Sequence, residues 1–275
     1  MYVKDFVYDD KLASDYGLAI CHVNSENSMN ISMGSNIEIE TVKQNDTQQN
    51  LLIKSNYTEV LSVTFDVIKI NCKNENDYEL SANEIEFIMK WLNRKEMKIF
   101  QPIYENGDYS DIYYKGTFTN IQALSIQGKI IGMTLTFTSD SSYGYTDAFF
   151  DYELSTNDEI EIYVDSSENG YIYPHLDIDI LESGTFSLQV KFEEKVLSNI
   201  EIKNCIANEH LTIDSKYKYI TTDNQEHRST LPNDFNYDWV SLESSISNSL
   251  NQISTNLPCI IKATYTLPRK VGILV

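Results

Sequence analysis

The sequence is short of positive charge. Its 21 Lys and Arg stand against 41 Asp and Glu, for a formal net charge of −20. Binding to duplex DNA rests on Lys and Arg that neutralise phosphates, and this balance opposes it. An anionic membrane surface is opposed for the same reason. The charge fits high solubility, or a surface past which nucleic acid moves without sticking.

Other absences narrow the chemistry. Cys21, Cys72, Cys205 and Cys259 are far apart, and no CxxC or Cys/His pair has zinc-finger spacing. They are expected to be small buried hydrophobes in a reducing compartment. With 10 glycines and no GxGxxG or Walker-type GxxxxGK, nothing marks a phosphate-cradling loop. His22, His175, His210 and His227 are scattered without HExxH spacing, and no Ser sits in GxSxG. No run of about 18 apolar residues exists to span a membrane. The start, MYVKDFVYDD, lacks the apolar core of a secretory signal, so the sequons at Asn30, Asn45 and Asn56 are expected to be chance matches. No catalytic, cofactor-binding or metal-ligating residue is singled out, and a non-enzyme is expected.

What is present is mainly β. Val60–Ile70 sets Val63, Phe65 and Val67 on one face and Thr64, Asp66 and Ile68 on the other. That is the period of two of a packed strand. Lys129–Thr138 alternates through Met133, Leu135 and Phe137. Ile37–Val42 and Leu51–Tyr57 flank a polar stretch, Lys43–Asn50, which fits a long exposed hairpin over residues 34–58. One helix is expected over residues 82–94. Ser81 and Glu84 form a capping box, and Ile85, Ile88, Met89 and Leu92 line one face with Phe87 and Trp91 beside it.

A length of 275 residues suggests two domains at about 100–200 residues each. Turn residues and an aromatic cluster between Thr138 and Ser155 place the boundary near 145, giving domains 1–145 and 146–275. Beyond it short alternating strands recur. Glu159–Val164, Leu176/Ile178/Ile180, Phe186/Leu188/Val190/Phe192, Ile200/Ile202, Leu211/Ile213 and Ile261/Ala263/Tyr265 indicate an antiparallel β-sandwich.

Three features resemble sites without meeting their requirements. Asp165, Ser167, Asn169 and Gly170 match the opening of a calcium loop, but position 12 is Leu176, where a bidentate Glu is needed. A turn is expected instead. Asp177 and Asp179 share a strand face, and a solvated face is expected over acid–base or metal chemistry. Most of the 19 Tyr are expected in cores and edge strands, with several at interfaces.

Three sets of motifs stand in order along the chain. The first is Phe6-Val-Tyr-Asp-Asp10 followed by Ser14-Asp-Tyr-Gly-Leu-Ala-Ile20, with Gly17 at the turn. The second is the Ser81–Arg94 helix with Trp91 and Leu92, then Tyr113-Tyr-Lys-Gly116. The third runs from Asn169-Gly170 and Pro174–Ile178 through Leu211–Asp214, Tyr219-Ile220, Trp239, Leu242, Asn251, Ile253 and Pro258–Ile261 to Tyr265. In this order and spacing they resemble the distal tail (Dit) proteins of long-tailed phages of Gram-positive bacteria, with one departure, the lack of a glycine between Leu242 and Asn251. The resemblance implies a β-sandwich-like N-terminal domain with one helix and a protruding hairpin, and a galectin-like C-terminal sandwich. It further implies a hexameric ring at the virion tail tip, assembled in the host cytoplasm. Such a ring joins the tail tube protein to a tail-tip, tail-associated-lysin-like protein and docks receptor-binding components. DNA passes its lumen without specific binding, and no cofactor or membrane is involved. The alternative is a carbohydrate- or receptor-binding β-sandwich module, motivated by the abundant Tyr. A glycoside hydrolase, which needs two carboxylates about 5–10 Å apart, has no pair to single out.

Overall fold

The computed structural model describes residues 3–21, 34, 36–43, 50–70, 78–245 and 248–273. His22, Cys72, Asn30, Asn45 and the hairpin tip at 44–49 lie outside the described residues. The chain forms two compact units, residues 1–145 with 270–275 and residues 146–269.

The first unit contains strands β1 (Val3–Tyr8), β2 (Lys11–Leu12), β3 (Leu18–Cys21), β4 (Ile37–Lys43), β5 (Asn50–Tyr57), β6 (Ser62–Lys69), β7 (Lys98–Tyr104), β8 (Tyr114–Ile126) and β9 (Lys129–Ser139), with helix α1 (Ala82–Leu92). Seven of these strands make one sheet in the order β2-β1-β7-β8-β9-β6-β3. The sheet curls until β1 and β3 approach each other, so a single sheet gives this half its sandwich-like character.

Aromatic rings fill the inside. Phe6 packs on Phe100 at 5.4 Å, Phe100 stacks on Phe137 at 4.4 Å, and Tyr8 meets Phe118 edge-on at 4.9 Å. Ridges of Ile88, Trp91 and Leu92 bring α1 onto this core. The helix starts where the capping box requires. Ser81 Oγ accepts from the Glu84 N–H, and the Glu84 carboxylate accepts from the Ser81 N–H. It ends at Leu92, two residues before the expected Arg94. The tight link between β8 and β9 is a two-residue turn, Gln127-Gly128, with φ of 52° and 81°. Both values are left-handed, as hairpin twist demands.

The second unit contains β10 (Gly144–Leu154), which crosses from the first, then β11 (Glu159–Tyr163), β12 (Gly170–Ile172), β13 (His175–Ile180), β14 (Gly184–Phe192), β15 (Lys195–Cys205), β16 (Glu209–Asp214), β17 (Tyr219–Thr222), β18 (Leu242–Ser244), β19 (Leu250–Thr255) and β20 (Cys259–Arg269). A five-stranded sheet, β10-β20-β13-β16-β17, faces a four-stranded sheet, β11-β19-β14-β15. Leu176, Ile178, Ile180, Leu211, Ile213 and Ile261 from the first meet Phe186, Leu188, Val190, Ile200, Ile202 and Ile253 from the second. This is the antiparallel sandwich that the alternation predicts, and the resemblance to distal tail proteins implies its galectin-like form.

Two features differ from expectation. Helix α2 (Gln225–Asp234) lies in the second unit, where only strands are expected. Asn224 caps it by accepting from the Glu226 and His227 N–H groups. Also, the expected second domain of 146–275 ends at Arg269. The chain then returns to the first unit, where Tyr114 Oη donates to the Val271 and Gly272 carbonyls and Ile273 is buried. Apolar Val271 and Ile273 belong to the first core, which is why the tail folds with it.

Candidate assembly surface

The β4–β5 hairpin stands apart from both cores. It is a separate two-stranded sheet, and none of its described residues joins either hydrophobic cluster. The pairing runs from Ile37 opposite Tyr57 to Lys43 opposite Asn50, with Ile53 as the extra residue of a bulge. By register, Ile37, Ile39, Leu52 and Tyr57 share one face, while Glu38, Glu40, Lys54 and Asn56 share the other. The base is clasped to the chain where the Thr58 N–H and hydroxyl both donate to the Asn36 carbonyl. Lys270 Nζ sits 5.9 Å from the centre of the Tyr57 ring.

The apolar side chains of this hairpin face solvent. Ile37, Ile39, Val42, Leu51, Leu52 and Ile53 are all exposed, Ile39 by 62% and Leu52 by 61%. An isolated two-stranded ribbon is marginal in water. Its open edges offer unpaired N–H and C=O groups to another chain. Val42 and Leu51 lie on the other face from Ile37, Ile39 and Leu52, and exposed apolar surface of this kind marks a protein contact. The hairpin expected from sequence is therefore present, and its arms carry apolar surface that the monomer leaves bare.

The sequence-selected residues elsewhere fall as follows. Asp165 pairs with Arg269 at 3.1 Å, and Ser166 Oγ bonds the backbone at Glu168, closing a turn. Leu176, at the loop's twelfth position, is buried in β13. Asp177 and Asp179 do share an outer face of β13, and β16 adds His210, Thr212 and Asp214 beside them. His210 Nδ1 lies 2.7 Å from Asp179, and Thr212 Oγ1 donates to Asp177 at 3.0 Å. His175 lies 3.4 Å from Asp214 and 3.7 Å from Asp177. Strand pairing thus brings His175, Asp177 and Asp179 of β13 beside His210 and Asp214 of β16.

Cys205 and Cys259 are buried, as small hydrophobes would be, and Cys21 is half-buried. Burial pushes the Cys205 thiol up to about 12 and the Cys259 thiol up to about 11, so neither is a ready nucleophile. Of the tyrosines, Tyr8, Tyr104, Tyr114 and Tyr265 are core residues, while Tyr163, Tyr217 and Tyr237 are exposed. Among the described residues no helix is long and apolar enough to cross a membrane.

Comparison with known proteins supplies the context. Residues 1–141 match the family model for a phage tail protein N-terminal domain, and residues 143–265 match that for a phage tail C-terminal domain. None of the curated proteins matches the chain. Among solved structures, the Dit protein of phage SPP1 aligns over 97% of this chain and 100% of its own, with a TM-score of 0.66 and 15% identity. A phage p2 baseplate structure with Sr aligns over 99% of this chain and 100% of its own, with a TM-score of 0.48 and 11% identity. Together the two family models span nearly the whole sequence. The chain therefore belongs to the phage tail protein family, and its fold is that of a distal tail protein.

Proposed function

We propose that this tail protein is a hub adaptor whose copies close into a hexameric ring at the tail tip. The ring joins the tail tube to the tail-tip protein and docks receptor-binding components. It is assembled in the host cytoplasm and has no catalytic role.

The observation that carries this is the β4–β5 hairpin, with six exposed large apolar side chains outside both cores. A head-to-tail contact, in which one copy's arms lie on a different surface of the next, closes into a ring when the rotation per copy divides a full turn. Added strands at open edges supply the backbone hydrogen bonds of such a contact. The net charge of −20 suits a lumen that DNA must traverse without being held. The SPP1 Dit protein, a hub of an adsorption apparatus, has the same fold.

Light scattering of the purified chain, alone and with tail-tube and tail-tip partners, tests the ring. A six-fold mass is expected. A strictly monomeric chain at high concentration in both settings overturns it.

A further inference from the structure

Strand β8 outruns its neighbour on one side. It pairs with β9 from Gly116 to Ile126. With β7 it pairs only through Tyr114, Lys115 and Gly116. Beyond Gly116 the β7 side of β8 meets no strand among the described residues. Backbone N–H and C=O groups on that side are left to water or to another chain. Thr119, Asn120, Gln122, Ala123, Ser125 and Ile126 are all exposed. Register shifts bend β8 before Asn120 and after Leu124, and the stretch between them runs regular.

An open edge is ordinarily guarded by charged side chains or proline. Here both are missing. Gly116 to Gly128 reads GTFTNIQALSIQG, with no charged residue and no proline. The chain as a whole carries −20, so two copies repel wherever their acidic surfaces approach. A contact between copies belongs where that charge is absent. The β4–β5 hairpin meets the same condition, because its strands carry Glu38, Glu40, Lys43 and Lys54, which sum to zero.

The two surfaces also match side by side. On β8, Ile121 and Ala123 stand opposite Leu135 and Met133 on the core face. Asn120 and Gln122 stand opposite Thr136 and Thr134 on the outer face. On β4, Ile37 and Ile39 share one face and Glu38 and Glu40 the other. The bulge residue of the hairpin, Ile53, is on β5, so β4 keeps a regular edge. Laid along β8, β4 sets Ile37 and Ile39 beside Ile121 and Ala123. It sets Glu38 and Glu40 beside the Asn120 and Gln122 amides, which donate hydrogen bonds to carboxylates. A slip of one residue would put the glutamates against the apolar side, which fixes the register.

We infer that β4 of one copy pairs with the open β8 edge of the next, at Asn120–Leu124, and extends its seven-stranded sheet. The inference rests on the ring reading above and names the surface that receives the hairpin. Donor and acceptor are different parts of the chain, so each copy gives one arm and takes one, as a ring requires. Two β8 edges paired with each other would form a two-fold contact and stop at a dimer.

The test is a photo-crosslink in the whole chain, with Ile39→p-benzoylphenylalanine in a mixture of nitrogen-15-labelled and unlabelled copies. Mass spectrometry should find mixed-label crosslinks from position 39 to the β8 stretch. Thr41→p-benzoylphenylalanine, on the same hairpin face, serves if the first variant does not assemble. Ala123→Lys sets a charge against Ile39 in the contact while staying exposed in the monomer. It should weaken association by at least about tenfold and leave Tm of the monomer unchanged. An oligomer whose mixed-label crosslinks land outside β8, or whose association Ala123→Lys does not alter, overturns this inference and leaves the ring standing. A chain that stays monomeric with its tail partners present overturns both.

Discussion

His210 and Asp179 sit directly opposite each other on β16 and β13, with Nδ1 and Oδ1 2.7 Å apart on the outer face of the sandwich. The Asp179 hydrogen bond raises the His210 pKa above the ordinary imidazole value. Burial opposes the shift, and the charges of Asp179, Asp177 and Asp223 add to it.

A pH dependence follows from that direction. A raised folded-state pKa means the pair's stability is fully present below the unfolded value of about 6.5. It is lost as pH rises through the folded value. The pair is half-exposed, so the effect is at most about 0.5 kcal/mol. A proton NMR titration of the ring should show a midpoint above the ordinary value. Asp179→Asn should move it down, and an unchanged midpoint would exclude this pair as the cause.

The capping box of α1 gives the opposite sign. Glu84 is held down to about 2, first by the Ser81 hydroxyl, then by the Ser81 N–H and by Lys69. Its stabilisation is present above the unfolded value of 4.5 and lost as pH falls towards about 2. Ser81→Ala should cost about 1 kcal/mol near neutral pH. In urea titrations the gap between wild type and variant should narrow across that acid window. A gap that stays constant down to the lowest pH would rule out the carboxylate as its source.

Trp91 should be the most costly residue of α1 to change. Its indole N–H donates to the Tyr8 carbonyl at 2.7 Å, and its ring stacks on Tyr16 at 4.1 Å. Trp91→Phe removes that hydrogen bond and leaves a void beside Phe6, at a cost of about 3 kcal/mol. Calorimetry should show the loss. A change below about 1 kcal/mol would mean the core refills around the smaller ring.

Gly132 marks a tight crossing of β9 and β6. A Cβ there would lie 2.0 Å from the Val67 carbonyl oxygen. Backbone cannot yield as a side-chain tip can, so Gly132→Ala should destabilise the first unit by about 3 kcal/mol. Gly107, with nothing near an added Cβ, carries only the cost of its φ of 72°. Gly107→Ala should therefore be milder, and equal losses at both sites would contradict the packing account.

Much of the fold was legible because burial on one face writes period two into sequence. Phe186, Leu188 and Val190 are all fully buried, as their spacing implies. Helix α2 was hidden because its apolar content is nearly confined to Leu231 and Pro232 lies within it. Its one local signal is Asn224, a residue type favoured at helix N-termini. The gathering of His175 with His210, and of Glu209 with His227, depends on which strand and helix become neighbours, which periodicity does not encode. The bare hairpin face shows the same gap. Two arms flanking a polar stretch indicate a hairpin over 34–58, but nothing in their sequence shows that neither face of it meets a core.

That bare face yields the sharpest test of assembly. Ile39 and Leu52 lie on the same face of the hairpin and are exposed by 62% and 61%. Replacing both with Asp removes apolar contact area and places carboxylates where a neighbouring copy would bury them. Burying an unpaired charge is far more costly than leaving it in water. The monomer already exposes both sites, so its own stability should change by less than about 0.5 kcal/mol. The proposed ring should therefore fall apart while thermal unfolding of each unit stays as before. Light scattering and calorimetry on the same preparation separate the two effects. A double variant that keeps the mass of the wild-type oligomer would place the subunit contact elsewhere, and one that loses stability would mean the hairpin supports the fold itself.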